Sequence, residues 1–283
     1  MNISPESPLP LSPVAVVGVT GKTGRRVAAG LDALGLPVRG LSRTSTTPFR
    51  WEDEGTWGPT LAASRAAYVS FYPDLAMPGA ADLVGALAKH ARQVGVERLV
   101  LLSGRGEPGA QDAEAAVLAE LPASSVVRCS WFMQNFTEGL LRDAVLGGTI
   151  GLPGPGSAVE PFLDVDDLAA VAVAALVEEG HAGVVHELTG PESISLDAAA
   201  AVLSDVTGRR VVHEHVSVDR FADQLAGLGI PREDGLWLGD LFEGLLDGRN
   251  AQPTDGVEQV LGRPATSFAT WAARAADQGA WTR

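Results

Sequence analysis

Three glycines spaced three residues apart mark the first place in the sequence where chemistry is expected. Gly18, Gly21 and Gly24 lie within "VVGVTGKTGRR" (16–26), after an apolar run and before a stretch with helical spacing. In a strand–turn–helix unit, such glycines permit a sharp turn, a close approach of the backbone to a pyrophosphate and tight packing at the helix start. The free N–H groups and the helix dipole there favour an anion. The spacing predicts a dinucleotide-binding loop, although a plain turn can have the same glycines. Beside the glycines, the predicted contacts are Thr20, Lys22 and Thr23.

The residues after the second predicted strand indicate which dinucleotide binds. A site for NAD usually has Asp or Glu at this point, where the carboxylate binds the ribose hydroxyls. This chain has no carboxylate there and has Ser42, Arg43 and Thr44 instead. Arg43 suits a 2′-phosphate, with the two hydroxyls as further donors. The sequence therefore predicts NADP(H) as the cofactor, and the alternative is an arginine on a solvated loop.

Two aromatic residues are candidates for contacts with the cofactor. Trp51, in "RWED" (50–53), is expected to follow a third short strand and to flank the adenine; a surface turn with a packed Trp51 is equally consistent with the sequence. Tyr72 and Pro73 lie in the segment 71–80, which we expect beyond the carboxyl end of a strand, where open α/β sheets bind ligands. Tyr72 is predicted to cover the nicotinamide or to donate its hydroxyl in catalysis, and simple packing on the loop is the alternative. Pro73 is predicted as a further cofactor contact.

Two more segments are expected at the same edge of the sheet. Ser103 opens "SGRGE" (103–107), and its hydroxyl is predicted to polarise the acceptor beside the nicotinamide; a cap at the strand end is the alternative. The segment "SWFMQNF" (130–136) is predicted to form an aromatic wall with one polar group, which suits a flat apolar substrate. Its alternative role is a helix N-terminus packed on the core. The predicted substrate contacts are Trp131, Phe132, Met133 and Asn135.

Apolar runs that alternate with helical spacing predict the elements that position these residues. Continuous apolar strands between amphipathic helices are typical of a parallel sheet covered on both faces, with right-handed crossovers. We expect one helix over 132–148 and a buried helix whose N-terminus is capped by Asp164. The predicted fold class is α/β, with a Rossmann-type, doubly wound, mostly parallel sheet. Its first five predicted strands are 13–18, 37–43, 66–72, 98–104 and 124–130.

The alternation of strands and helices changes after about residue 150, which indicates more than one domain. The sequence predicts a flexible tail over 1–12 and a dinucleotide-binding domain over 13–150 that is completed by 162–190. A smaller, mainly helical substrate or cap domain is predicted over 191–283, with one strand near "RRVVHEHVS". In this domain, the helical spacing of Leu238, Leu241 and Phe242 indicates cap core, a substrate wall or a dimer surface.

Composition argues against several classes of function. The 283-residue chain has a net charge of −14 and no basic block, so we expect no nucleic-acid partner. No apolar stretch approaches the ~18 residues of a membrane span. The first residues do not resemble a signal peptide, so a cytoplasmic protein without a membrane partner is expected. Cys129 is the one cysteine, and His213 and His215 lack a third ligand at a sensible spacing, so no metal is predicted. A monomer or a homodimer is expected.

Five motifs together resemble the NmrA-like branch of the atypical short-chain dehydrogenase/reductase family. They are "GVTGKTGRRV" near the start, "LSR" after the second strand, "VLLSGRGE" (100–107), "SWFMQNF" and "FLDVDDLAAVAVAAL" (162–176). Within the branch, the chain is most similar to bacterial relatives of agroclavine-type dehydrogenases, which reduce iminium or enone groups in indole alkaloid pathways. The resemblance covers nearly the whole chain and implies a Rossmann fold, NADP(H), secondary metabolism and a substrate cleft beneath a small C-terminal domain. It also implies a divided function, since some members are reductases and others are redox-sensing regulators.

The chain departs from typical short-chain dehydrogenases in its acid–base residues. Those enzymes use a Tyr-x-x-x-Lys pair, but the residues four positions after Tyr68 and Tyr72 are Tyr72 and Ala76, and Lys22 and Lys89 cannot complete the pair. Ordinary ketone reduction is therefore not expected. An iminium ion needs hydride alone, which the cofactor supplies and the protein positions. We expect an NADPH-dependent reductase of an activated C=N or C=C bond in a small, mostly apolar metabolite. The alternatives are an NADP(H)-binding redox sensor and a non-redox isomerase or cyclase.

Overall fold

The computed structural model of the protein describes residues 12–282. Strands and helices alternate along the first half of the chain, as the apolar runs predict. The strands are β1 (Val14–Val17), β2 (Val38–Leu41), β3 (Ala66–Val69), β4 (Arg98–Gly104), β5 (Ser125–Cys129), β6 (Thr149–Leu152), β7 (Val159–Glu160), β8 (Val185–Leu188), β9 (Ile194–Ser195) and β10 (Val212–His215). The α-helices are α1 (Gly24–Ala33), α2 (Trp57–Leu61), α3 (Ala80–Gln93), α4 (Pro108–Glu120), α5 (Leu140–Gly147), α6 (Val165–Val177), α7 (Leu196–Thr207), α8 (Val218–Gly227), α9 (Arg232–Leu245), α10 (Gly256–Leu261) and α11 (Phe268–Asp277). Among these helices, none combines the length and the apolar character needed to cross a membrane.

The central sheet has six strands in the order β2-β1-β3-β4-β5-β8. Its pairs β1–β2, β1–β3 and β3–β4 are parallel, and Val14 lies opposite both Val38 and Ala66. All residues of β1 and β3 are buried, which explains why both strands are continuous apolar runs in the sequence. The direction of strand order reverses between β1 and β3, and such a switch point is where open α/β sheets bind ligands. The predicted α/β fold with a mostly parallel, doubly wound sheet is confirmed.

The segment after β5 differs from its prediction. We expected one helix over 132–148, but the chain forms a short 3₁₀ helix, Met133–Phe136, and then α5, Leu140–Gly147. Gly139, between the two, has φ +74° and ψ −149°, a conformation that L side chains rarely adopt and that no helix continues through. The prediction of a single helix was therefore wrong, because Gly139 ends the first piece and resets the direction of the second.

The segment around Trp51 also differs from its prediction. In the described chain, turns rather than a strand connect β2 to Trp51, so the expectation that "RWED" follows a third strand was wrong. The Phe49 N–H donates to the Ser42 carbonyl (3.0 Å). The indole N–H of the fully buried Trp57 donates to the Arg50 carbonyl (2.7 Å). These bonds use backbone groups that a strand would pair with a neighbour, so the segment folds as turns.

The described chain divides into two compact units. The first comprises residues 12–102 together with Asp112–Val126 and Ala172–Val184. Its first helix, α1, buries Val27 and Leu31 on the face that the sequence spacing indicates. The domain boundaries predicted from the sequence stay predictions. Residues 1–11 of the predicted tail (1–12) lie outside the described residues.

The second unit comprises Ser103–Gln111, Val127–Val171 and residues 185–282. Its core is built on aromatic rings: Phe162 lies 5.6 Å from Phe136 and 5.5 Å from Phe268 between ring centroids. Two small ladders flank this core, a parallel pair of β6 with β10 and an antiparallel pair of β7 with β9. The strand predicted near "RRVVHEHVS" is confirmed as β10.

Candidate active site

The glycine loop of the first unit forms a tight turn between β1 and α1. Gly18 has φ +80°, in the left-handed region that favours glycine, and the Gly21 N–H donates to its carbonyl (2.8 Å). A Cβ on Gly24 would overlap that carbonyl group, at 2.7 Å from its carbon, so only glycine fits there. The loop is thus folded closely on itself at the switch point of the sheet.

This loop fits the pyrophosphate of a dinucleotide. Helix α1 begins at Gly24, so its first N–H groups and its positive dipole end lie directly after the turn. Thr20 and Gly21 are exposed, Lys22 is half-buried and Thr23 is buried at the helix start. The Lys22 carbonyl accepts a hydrogen bond from the Arg26 guanidinium (2.9 Å). The structure therefore brings the six predicted loop residues together in one turn.

Ser42 and Arg43 follow β2, one strand away from the glycine loop in the sheet. The Ser42 hydroxyl lies 3.0 Å from the hydroxyl of Ser45, which also accepts the Ser42 N–H (2.8 Å). Arg43 is exposed, and its guanidinium carbon lies 5.5 Å from the centroid of the Tyr72 ring. This distance is typical of a cation–π contact.

Tyr72 and Pro73 follow β3 on an exposed segment. The Tyr72 residue is 66% exposed, and the Tyr72–Pro73 peptide bond is cis. Trp51 is half-buried and packs on Phe71 (4.6 Å between centroids) and on Phe49 (5.0 Å). The structure thus places Trp51, Tyr72 and Arg43 around the ends of β2 and β3.

The second unit contains Ser103, which is buried at the end of β4. Two residues on, Arg105 is held by main-chain carbonyls: its Nη1 donates to Asn250 (2.7 Å) and to Gln252 (2.9 Å). Its Nε lies 3.8 Å from the Glu187 carboxylate. These contacts fix the direction of the chain immediately after β4.

A cavity of about 640 Å³ lies within the second unit. Trp131 and Asn135 line it, and the Trp131 ring meets Phe242 of α9 edge-on at 4.9 Å. Glu214 and Arg220, also at the cavity, are joined by an ion pair of 2.8 Å. Further apolar lining residues are Leu140, Leu141, Ala144, Phe221, Leu225, Leu228 and Leu238, and further polar ones are Glu138, Asp143, Thr149 and Gln224. A cavity with both apolar walls and polar groups can hold and orient a small molecule.

The four predicted substrate residues divide between this cavity and the core. Met133 is 1% exposed and belongs to the hydrophobic core with Phe136. Phe132 is half-buried and lies outside the lining of the cavity. Trp131 and Asn135 line the cavity, whereas Met133 and Phe136 pack into the core. Leu238 and Phe242 of α9 also line the cavity. Of the three roles that their helical spacing left open (cap core, substrate wall or dimer surface), this position favours a substrate wall.

A buried polar network holds this wall. The Gln134 amide donates to the Asp164 carboxylate (2.6 Å) and accepts the Val165 N–H (2.9 Å). Asp164 also accepts the Asp166 N–H (2.9 Å), which confirms it as the cap of α6. Its second oxygen pairs with Arg274 of α11. Burial raises the pKa of Asp164, and these hydrogen bonds and the arginine oppose that rise.

Glu160 is a residue of the second unit that the sequence reasoning missed. Its side chain lies in β7, only 5% of the residue is exposed, and one carboxylate oxygen accepts the Trp131 N–H (3.3 Å). Burial raises the pKa of Glu160 to about 7, against the opposing effects of that hydrogen bond and of the Arg105 charge. Glu160 lies in a Gly/Pro-rich loop sequence with no motif around it, so no sequence signal pointed to it.

The other residues that the sequence singled out for possible reactivity or metal binding are Cys129, His213 and His215. Cys129 is buried, and burial raises the pKa of its thiol well above the ordinary value. His213 Nδ1 lies 3.3 Å from the Asp197 carboxylate, and His215 Nδ1 lies 2.8 Å from the Gly154 carbonyl oxygen. Within residues 12–282, no group of three or more His, Cys, Asp or Glu side chains is arranged to hold a metal ion.

No protein-family model matches the sequence. The uncharacterized oxidoreductase YesF of Bacillus subtilis (strain 168) is 30% identical over 291 residues, and the match covers 96% of this chain and 97% of YesF. The chain belongs to the oxidoreductase family of YesF. Festuclavine synthase I of Penicillium roqueforti is 28% identical to this chain, and the match covers 92% of this chain and 96% of the synthase. The prediction of an oxidoreductase is confirmed.

Solved structures agree with the predicted fold. The NADPH-dependent quinone oxidoreductase QOR2 of Escherichia coli, in complex with NADPH, matches with a TM-score of 0.72 at 20% identity. The match covers 92% of this chain and 99% of QOR2. At this identity the likeness shows the fold alone, which is that of NAD(P)-binding reductases.

Proposed function

We propose that the protein is an NADPH-dependent reductase that transfers hydride to an activated C=N or C=C bond of a small, mostly apolar metabolite. The observation that carries the proposal is the turn in which Gly24 packs on the Gly18 carbonyl, because a loop with this contact at a sheet switch point suits a dinucleotide pyrophosphate. The sequence motifs further support membership of the NmrA-like branch. Cytoplasmic location and a monomeric or homodimeric state remain predictions.

Arg43 is the residue proposed to select NADPH over NADH. It is exposed at the end of β2, the position where NAD-specific sites usually have a carboxylate. A guanidinium there attracts the 2′-phosphate, and the Ser42 hydroxyl can add a hydrogen bond. Gly18, Thr20, Gly21, Lys22, Thr23 and Gly24 are proposed to surround the pyrophosphate, with Trp51 and Pro73 as further contacts.

The contact between Arg43 and Tyr72 supports a role for Tyr72 that differs from the catalytic role expected from the sequence. The 2′-phosphate and the nicotinamide are at opposite ends of NADPH. A ring 5.5 Å from the guanidinium carbon of Arg43 therefore suits the adenosine end. We infer that the Tyr72 ring holds the Arg43 guanidinium in place. The alternative role is donation of a hydrogen bond from the Tyr72 hydroxyl to the reacting group.

The substrate is proposed to bind in the cavity of the second unit against Trp131 and Asn135. The apolar and aromatic lining residues favour a mostly apolar molecule, and the polar lining residues can bind its polar groups. When bound, NADPH supplies the hydride, and the protein positions the acceptor. The buried Ser103 hydroxyl is proposed to donate a hydrogen bond to the acceptor. Festuclavine synthase I, by its name, forms festuclavine, a small molecule.

Cofactor titration tests the first half of this proposal. Purified wild-type protein and Arg43→Asp are titrated with NADPH and with NADH, and Arg209→Asp serves as a control because Arg209 is exposed in the second unit. We expect Arg43→Asp to weaken NADPH binding by roughly tenfold or more and NADH binding little, with no change in the control. Equal losses for the two cofactors would contradict the role of Arg43.

A turnover assay tests the second half of the proposal, the transfer of hydride to an activated double bond. The wild-type protein is assayed for NADPH oxidation with a panel of cyclic iminium ions and cyclic enones. Turnover with any member supports the reductase. Tight NADPH binding without turnover would favour a redox sensor or a non-redox isomerase or cyclase on the same fold.

A further inference from the structure

Arg105 and Asn250 are joined by hydrogen bonds in both directions, although they lie 145 residues apart along the chain. The Arg105 guanidinium donates from Nη1 to the Asn250 carbonyl oxygen (2.7 Å), and the Asn250 side-chain amide donates from Nδ2 to the Arg105 carbonyl oxygen (3.1 Å). Arg105 Nη1 also donates to the Gln252 carbonyl oxygen (2.9 Å). This contact connects the loop after β4 to the segment after α9.

The contact between Arg105 and Asn250 is buried and closely packed. Only 6% of Asn250 and 13% of the Arg105 side chain are exposed. Gly106 has φ +78°, in the left-handed region that favours glycine, and a Cβ there would lie 2.7 Å from the Asn250 amide. The loop after β4 is thus folded around the Asn250 side chain. Loss of a hydrogen bond at such a buried place is costly, because water does not replace the missing partner.

On one side, the contact leads to Trp131. The Arg105 N–H donates to the carbonyl oxygen of Cys129, the last residue of β5 (3.0 Å). Trp131 follows two residues later, and it lines the cavity. Its carbonyl oxygen accepts the Leu163 N–H (2.7 Å). The main chain that leads into Trp131 is therefore held against Arg105.

On the other side, the contact leads to Phe242. Phe242 lies in the last turn of α9, and the N–H of Leu246, directly after that helix, donates to the Phe242 carbonyl oxygen (2.9 Å). Asn250 follows four residues after Leu246. Phe242 also lines the cavity, and its ring meets the Trp131 ring at 4.9 Å with an angle of 84° between the planes. The two segments that carry these rings are therefore both attached to the contact between Arg105 and Asn250.

We propose that Arg105 and Asn250 are positioning residues that hold the Trp131 and Phe242 rings edge-on and so set the substrate specificity of the cavity. Neither Arg105 nor Asn250 lines the cavity, so both act through the rings. This role rests on the proposed function, in which the cavity binds the substrate. A fused bicyclic substrate that touches both rings depends on the angle between them, whereas a monocyclic substrate can lie against either ring alone.

The surroundings of the Trp131 ring can be measured without substrate or cofactor. The protein is labelled with 5-fluorotryptophan, and Trp131→Phe identifies the ¹⁹F resonance of Trp131 among those of the six tryptophans. Phe242→Leu gives the change in chemical shift that follows loss of the edge-on neighbour. We expect Asn250→Ala, which removes the side-chain amide, to move the Trp131 resonance in the same direction as Phe242→Leu.

Arg249→Ala is the matched control for Asn250→Ala. Arg249 precedes Asn250 in the chain, but its guanidinium pairs with Asp247 at an exposed site (2.7 Å). We expect the Trp131 resonance of this control to stay at its wild-type position.

Arg105→Lys is a second test variant, which serves if Asn250→Ala does not fold. Lysine keeps the positive charge that faces Glu187 and loses the planar group that donates to two carbonyl oxygens. We expect the Trp131 resonance to move as in Asn250→Ala. An unchanged Trp131 resonance in either folded variant would overturn the proposal.

A turnover assay measures the effect on specificity. Wild type and the variants are assayed for NADPH oxidation with a monocyclic and a fused bicyclic enone. In Asn250→Ala and Arg105→Lys, we expect kcat/KM for the bicyclic enone to fall roughly 2–10-fold more than kcat/KM for the monocyclic one, the range for loss of one edge-on aromatic contact. The difference should lie in KM, and Arg249→Ala should keep the wild-type ratio. Equal losses for the two enones would show a merely structural role and would overturn the role in specificity.

The outcomes separate this role from the proposed function. No turnover of enones or iminium ions by the wild-type protein would overturn the proposed function and the role in specificity with it. The ¹⁹F chemical shifts would still decide whether Arg105 and Asn250 position the two rings.

Discussion

The guanidinium carbon of Arg43 lies 5.5 Å from the centroid of the Tyr72 ring. The two residues follow β2 and β3, the strands on either side of β1. The contact therefore spans the end of the strand that leads into the glycine loop. An arginine held by a ring has less freedom to lose when a phosphate binds, so this pair prepares the proposed 2′-phosphate site.

Substitution of Tyr72 separates ring packing from hydroxyl chemistry. We expect Tyr72→Phe to keep the affinity for NADPH, because the ring face remains. Tyr72→Leu should weaken NADPH binding by roughly 2–5-fold, as expected for loss of an exposed cation–π contact of ~0.5–1 kcal/mol. Fluorescence titrations measure both constants, with NADH as the reference ligand. If Tyr72→Phe lowers kcat tenfold while leaving binding intact, the hydroxyl has the catalytic role instead.

Gly24→Ala should disturb the glycine loop more than any other change of one methyl group. The new Cβ would overlap the Gly18 carbonyl group, so the turn must open. We expect the protein to lose about 1–3 kcal/mol of unfolding free energy and the NADPH dissociation constant to rise tenfold or more. Thermal and urea unfolding with NADPH titration measure these effects.

Gly244→Ala is the control for that substitution. Gly244 lies in α9 with open space where a Cβ would be, so alanine should be neutral or slightly stabilising. Unchanged NADPH binding in Gly24→Ala would show that the packing of this turn does not serve the cofactor.

Glu160 should make the stability of the protein depend on pH. Its pKa is raised from 4.5 to about 7 in the folded state, so the folded protein holds a proton that the unfolded chain has lost between these values. Stability from the protonated group is complete below about pH 4.5 and is lost as the pH rises to about 7. Relative to Glu160→Gln, the unfolding free energy of wild type should fall by up to about 3 kcal/mol over this range. Urea unfolding of both proteins at several pH values measures the difference, and a difference independent of pH would contradict it.

Gln134 should position the substrate wall without touching the cofactor. Gln134→Leu leaves the Val165 N–H without its partner and removes one hydrogen bond from the buried Asp164, which keeps Asp166 and Arg274. We expect a loss of about 1–3 kcal/mol for the unpaired Val165 N–H and a higher KM for substrate. The NADPH dissociation constant should stay unchanged. Gln259→Leu is the control, because Gln259 bonds Asp255 at an exposed site. An unchanged KM in a folded Gln134→Leu protein would contradict the positioning role.

Elements with strong periodicity could be predicted from the sequence. The strands at 98–104 and 124–130 appear as β4 and β5, since a buried strand requires a continuous apolar run whatever its neighbours are. The helix expected over 132–148 failed because one glycine, Gly139, took a conformation that apolar spacing does not reveal. The strand expected before Trp51 failed because hydrogen bonds within the segment, such as that from Trp57 to Arg50, replaced strand pairing.

The sequence by itself determined the fold class and the position of the glycine loop, because both depend on residues close together along the chain. Only the tertiary structure decided that Glu160 lies on the Trp131 N–H, that Phe242 packs on the Trp131 ring and that Met133 belongs to the core. Glu160 and Trp131 are 29 residues apart along the chain. Their contact depends on how two distant segments pack, which neither local sequence indicates. The raised pKa of Glu160 follows from that burial, and burial is a property of the packed chain rather than of any motif.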